Sequence, residues 1–142
     1  MSKVLEVTDL SITFDTPRGN LRAVNDATIT LDQGESIGVV GESGSGKTVL
    51  SRAIMGLLPG TATRTGSIKY MGKEISDLPE KELRELWGTG MAMIFQDPMT
   101  TLNPVRRIGA QLTESLTVRL KLSKKEAHKQ AIELLRRVRI AD

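Results

Sequence analysis

Cysteine is absent from this 142-residue chain, and histidine occurs once, at position 128. The first absence excludes a disulfide scaffold and a cysteine-ligated metal site. The second excludes a histidine-rich metal centre. Aromatic residues are scarce, with two Phe, one Trp and one Tyr, which leaves little for stacking on nucleic-acid bases. The longest unbroken apolar run covers residues 91–95, far short of a membrane span. No apolar segment follows Met1-Ser2-Lys3-Val4, so no secretory signal is expected. Hydrophobic residues nevertheless make up 39% and charged ones 26%, enough for one globular domain and little more.

The net charge of +3 is localised. From Lys121 onward, seven Lys/Arg face three acidic residues, whereas the first 120 residues carry a net −1. A basic segment without aromatics reads as a solvated helix face, and no nucleic-acid partner is expected.

Leu10, Ile12 and Phe14 alternate, as do Ala27, Ile29 and Leu31, predicting two strands with one wet face each, joined by turn chemistry at residues 16–20. Residues 36–40, nearly all apolar or small, and the apolar residues 91–95 read as strands buried on both faces. Val49, Leu50, Ala53, Ile54, Leu57 and Leu58 recur at helical spacing until Pro59-Gly60. A small hairpin is expected around Met71-Gly72-Lys73, a short helix over 79–87, and helical patterns from Ile108 onward. Ser123 and Glu126 have capping-box spacing ahead of an apolar stripe of Ala127, Ala131, Leu134, Leu135 and Val138. The overall order is β-rich, then α/β, then α.

Gly41-Glu42-Ser43-Gly44-Ser45-Gly46-Lys47-Thr48 matches the phosphate-binding pattern G-x-x-x-x-G-K-[ST]. Glycines let backbone amides turn inward to phosphate oxygens where a Cβ would crowd them. Lys47 suits the β- and γ-phosphates, and the Thr48 hydroxyl suits Mg²⁺. The following helix offers its N-terminal amides to the same anion. Nucleotide phosphate with Mg²⁺ is the ligand this pattern predicts, and the loop alone does not say which NTPase carries it.

Together with Gly34-Glu35 and Met93-Ile94-Phe95-Gln96-Asp97-Pro98, this loop closely resembles the ATP-binding subunits of ABC transporters, over nearly the whole chain. Phe95-Gln96-Asp97-Pro98-Met99-Thr100-Thr101-Leu102-Asn103-Pro104 is most similar to the oligopeptide/dipeptide (and nickel) permease group. The resemblance implies an α/β P-loop NTPase of the ABC type. Its expected parts are a β-rich subdomain (residues 1–35 and 62–78), a P-loop core (36–61 and 79–98) and the start of a helical subdomain (99–142).

The resemblance also assigns Gln96 to the Q-loop, as a catalytic residue with Lys47 and a Mg²⁺ ligand with Thr48, and Phe14 to the adenine-stacking position. His128, flanked by Ala127 and Lys129 in a predicted helix, matches no switch-histidine motif and reads as helix surface. The signature motif, the Walker B carboxylates and the switch histidine do not occur in the sequence, so a C-terminally incomplete domain is expected. These 142 residues alone are therefore expected to be poorly soluble and without turnover.

The implied partners are a second ATP-binding subunit, two membrane-spanning permease subunits and, indirectly, an extracellular solute-binding protein. Peripheral attachment to the cytoplasmic face of the membrane goes with them. Two other readings are a truncated module that binds nucleotide or a partner without hydrolysis, and an unrelated P-loop kinase or DNA-repair ATPase.

Overall fold

The computed structural model describes residues 2–96 and 102–140. The chain divides into two compact units, Met1–Leu86 and Trp87–Asp142.

The first unit is built on a four-stranded antiparallel sheet of order β2-β1-β3-β4, formed by β1 (Lys3–Thr16), β2 (Gly19–Asp32), β3 (Ala62–Tyr70) and β4 (Lys73–Glu74). Pro17-Arg18 makes a two-residue connection between β1 and β2. There the Thr16 hydroxyl donates to the Gly19 carbonyl (2.6 Å) and accepts from the Arg18 amide (3.3 Å). Val7, Leu10, Ile12 and Ile68 are the most buried large side chains of the sheet.

The alternation is not continuous. Asp9 has φ 50, and the register slips on both sides of β1 between Val7 and Ser11. This bulge adds a residue so that Val7 and Leu10, rather than residues two apart, both reach the core. It is held by the Asp9 amide donating to the Thr28 hydroxyl (3.1 Å).

β3 and β4 close on a polar clasp. The Glu74 carboxylate accepts from the Ser67 hydroxyl, the Ile68 amide (3.0 Å) and the Ser76 amide (3.1 Å). Burial acts to raise its pKa, but hydrogen bonds from the Ser67 and Ser76 hydroxyls and from the Ser76 and Ile68 amides outweigh it and hold the carboxyl down to about 2. A folded pKa below the unfolded 4.5 gives stability that is complete above pH 4.5 and is lost as pH falls towards 2. Glu74→Gln is therefore expected to flatten the acid limb of the denaturant midpoint against pH in that window. A limb of unchanged slope would contradict the clasp.

Helix α1 (Lys47–Ile54) ends earlier than its apolar spacing predicts. Gly56, at φ 68, takes the left-handed position, with the Leu57 amide on the Arg52 carbonyl (2.8 Å) and the Gly56 amide on the Ala53 carbonyl (3.0 Å). That pair of bonds is a Schellman stop, so Leu57 and Leu58 lie beyond the helix and Pro59-Gly60 is not what ends it. Helix α2 (Glu80–Leu86) follows Pro79 as expected and buries Leu83.

Two expected strands do not form. Residues 36–40 are irregular and exposed, Val40 to 94%. Residues 92–95 are likewise irregular, with Ile94 exposed to 98%, and Met91 makes only an isolated bridge to Trp87. A strand buried on both faces needs hydrogen-bonding neighbours and covering layers. Among the described residues the four strands pair only with one another, and none is offered to either segment.

In the second unit, α3 (Ile108–Val118) and α4 (Lys124–Arg137) pack through Leu116, Ala127 and Ala131, with Leu112 and Leu122 beside them. The expected capping box is present. The Ser123 hydroxyl accepts from the Glu126 amide (3.3 Å), and Glu126 accepts from the Ser123 amide (3.0 Å). The apolar stripe of α4 is buried only in its first half: Leu134 is exposed, as is Val138 past the helix end. His128 is exposed on α4, as read. Residues 97–101, which carry the Asp97-Pro98 break, lie outside the described residues.

Candidate functional site: the glycine-rich loop

Residues 41–48 form a loop that leads into α1, so the expected glycine-rich loop and helix are present, but the strand expected before them is not. Gly44 and Gly46 take φ 83 and φ 91, conformations open to glycine at little cost. A turn is closed by the Ser45 amide on the Glu42 carbonyl (3.2 Å).

Gly46 is fixed for a second reason. A Cβ placed there would lie 2.3 Å from the Ala23 carbonyl oxygen of β2, so only glycine lets the loop rest against the sheet. Gly41 is tight as well, since its Cβ would meet the Ser45 hydroxyl at 2.7 Å.

Helix α1 starts with Gly46 as its cap, without a side-chain capping bond and without an acidic residue in the first turn. The Leu50 amide is the first to bond back, to the Gly46 carbonyl (2.8 Å). The amides of Lys47, Thr48 and Val49 therefore remain at the positive end of the helix dipole, and among the described residues no side chain caps them.

The Lys47 ammonium is drawn over the loop. It donates to the carbonyls of Gly41 (2.7 Å) and Glu42 (2.6 Å) and to the Ser45 hydroxyl (3.2 Å). The loop thus holds the ammonium of the residue that opens α1. Chemically, this arrangement concentrates donors and one cation for an anion. Thr48 is exposed at the second position of the helix, and Glu42 and Ser43 are exposed on the loop.

Beside the loop runs a groove of about 400 Å³ whose lining includes Arg22, Asn25, Val39, Val40, Gly46 and Lys47. Such a volume falls in the range of small-ligand sites. Phe14 lies half-buried on β1, opposite Leu21 of β2 and Ala62 of β3. Gln96 is exposed and belongs to the second unit.

No cluster of His, Cys, Asp or Glu suited to a metal ion occurs among the described residues. A metal at the loop would then be held by phosphate oxygens and a hydroxyl such as that of Thr48, a donor set that fits Mg²⁺. The sequence pattern located the loop but missed the β2 side of the site. Ala23 and Arg22 enter it through strand register, for which the local sequence carries no signal.

A family profile described as ABC transporter matches residues 24–142. The oligopeptide transport ATP-binding protein OppD of Salmonella typhimurium is 48% identical over 98% of this chain and 42% of its own length. OppD of Bacillus subtilis is 46% identical, over 99% of this chain and 40% of its own. The dipeptide transport ATP-binding protein DppD of Bacillus subtilis is 44% identical, over 100% and 43%. The chain thus spans about two fifths of the length of these curated relatives. Among solved structures, a dimeric post-hydrolysis state of the ATP-binding cassette MJ0796, bound to ADP and Pi, superposes with a TM-score of 0.82. That similarity covers 97% of this chain and 58% of the other at 21% identity.

Proposed function

This chain belongs to the ABC transporter ATP-binding family, and we propose that it supplies the ATP-binding loop of a subunit that powers uptake of oligopeptides or similar small solutes. The observation that carries the reading is the Lys47 ammonium held by the Gly41 and Glu42 carbonyls beside the uncapped start of α1. In this reading the amides of residues 44–48 receive the phosphates, and Lys47 draws charge from the β- and γ-phosphates. Phe14 takes the adenine face, and Gln96 offers its amide oxygen to the metal or to water. Mg²⁺, held through the nucleotide and the Thr48 hydroxyl, would offset the phosphate charge that develops on cleavage.

The whole protein would hydrolyse ATP and pass the resulting movement to membrane-spanning permease subunits. A second ATP-binding subunit and an extracellular solute-binding protein complete the proposed assembly, at the cytoplasmic face of the membrane. Among the described residues no helix is long and apolar enough to cross a membrane, so contact with the bilayer would run through the permease partners.

The test is uptake of a labelled oligopeptide by cells lacking the gene and complemented with it. The natural sequence restores uptake, and Lys47→Ala lowers it at least about tenfold, the loss expected when a principal phosphate contact is removed. Uptake that is indifferent to Lys47 would refute the reading.

A further inference from the structure

We infer that Arg22 binds the nucleoside end of the nucleotide, its ribose and α-phosphate; this rests on the ATP-binding reading of the loop. Strand register carries the argument. Gly46 of the loop abuts the Ala23 carbonyl of β2. Two residues back along β2, Leu21 pairs with Phe14. Arg22 therefore lies between the contact with the phosphate loop and the aromatic residue.

At about 3.3 Å per residue, the stretch from Ala23 to Leu21 spans about 7 Å, the reach of a ribose and one phosphate. The pairing of β1 with β2 slips by one residue between Ile12↔Val24 and Thr13↔Arg22. Such a bulge re-aims side chains, and here Arg22, Ala23 and Val24 all line the same groove. Among the described residues that lining contains two cations, Arg22 and Lys47, and no carboxylate, which selects an anionic ligand.

The guanidinium is anchored from behind. It donates to the Ser11 hydroxyl (3.2 Å) and pairs with Asp26 at 3.6 Å. Ser11 is itself fixed, donating to the Asp26 carboxylate (2.9 Å) and accepting from the Asp26 amide (2.9 Å). A guanidinium has five N–H donors in a fixed fork, so this anchorage leaves donors for a phosphate or ribose oxygen. Its side chain is 56% exposed, so substitution does not open the core.

Titrations of the full chain with MgATP, MgADP and magnesium pyrophosphate, which lacks both the ribose and the third phosphate, test this. Arg22→Gln is expected to weaken ATP and ADP alike by about tenfold, the scale of one charge-assisted contact, and to leave pyrophosphate within about twofold. Arg22→Lys, which keeps the charge but not the fork, recovers part of the lost affinity. Lys47→Ala weakens all three ligands, pyrophosphate included. Unchanged ATP affinity in Arg22→Gln would overturn the assignment while leaving the ATP reading intact. So would a pyrophosphate loss as large as that for ATP. A natural sequence that binds none of the three overturns both.

Discussion

Replacing Gly66 by alanine is expected to cost the first unit about 3–5 kcal/mol, a penalty in the range reserved for backbone strain combined with a clash. Gly66 sits on β3 at φ 93, where the chain crosses the bulge at Asp9. A Cβ there would stand 2.5 Å from the Asp9 carbonyl oxygen and 2.7 Å from that of Thr8. Both are backbone atoms of the central strand, so neither can move without breaking the pairing of β1 with β3. Gly72 supplies the comparison: it also has positive φ (77), but its Cβ would meet nothing within 4 Å. Gly72→Ala should therefore cost only the conformational part, about 1 kcal/mol. Urea unfolding midpoints of the two variants measure the difference. Equal shifts would show that the close approach is not there.

Gly46→Ala is expected to lower ATP affinity about 100-fold or more, since displacing the loop forfeits about 3 kcal/mol of contacts at 1.4 kcal/mol per decade. Its Cβ would overlap the Ala23 carbonyl at 2.3 Å, and its φ of 91 is one that side chains seldom adopt. The loop would have to lift off β2, carrying the first amides of α1 and the Lys47 backbone with it. The sheet itself does not depend on this contact, so the unfolding midpoint should fall much less than for Gly66→Ala. Equilibrium titration with MgATP reads the effect. Affinity within about threefold of the natural sequence would mean that the loop tolerates the displacement.

These two glycines also mark where the sequence was legible and where it was not. Gly46 announces itself, because the pattern from Gly41 to Thr48 fixes which residues curl around an anion. The close approach to Ala23 that makes glycine obligatory belongs to strand register and has no local signature. Gly66 has no motif around it. Its role follows from the bulge at Asp9, a residue whose positive φ nothing in the alternation of Leu10, Ile12 and Phe14 foretells.

Helix ends divide in the same way. Ser123 and Glu126 were readable because a cap is a local exchange of hydrogen bonds. The stop at Gly56 was obscured by apolar spacing that runs on through Leu57 and Leu58. The end of α4 uses Arg139 at φ 62, with the Ile140 amide on the Leu135 carbonyl (3.0 Å), where composition points to no stop at all.

The segments at 36–40, mostly apolar or small, and 91–95 look buried by composition. Burial, however, is a property of neighbours, and among the described residues no strand pairs with 36–40. Composition thus records what a segment is suited to, and hydrogen-bonding partners decide whether it gets there.

Amide hydrogen exchange with and without MgATP reports which backbone groups the nucleotide covers. Marked slowing is expected at residues 41–49, where the loop amides and the free amides of α1 meet the phosphates, and none of that slowing in Lys47→Ala. Protection confined to other parts of the chain, or an exchange pattern that ATP leaves unchanged, would contradict the ATP-binding reading of the loop.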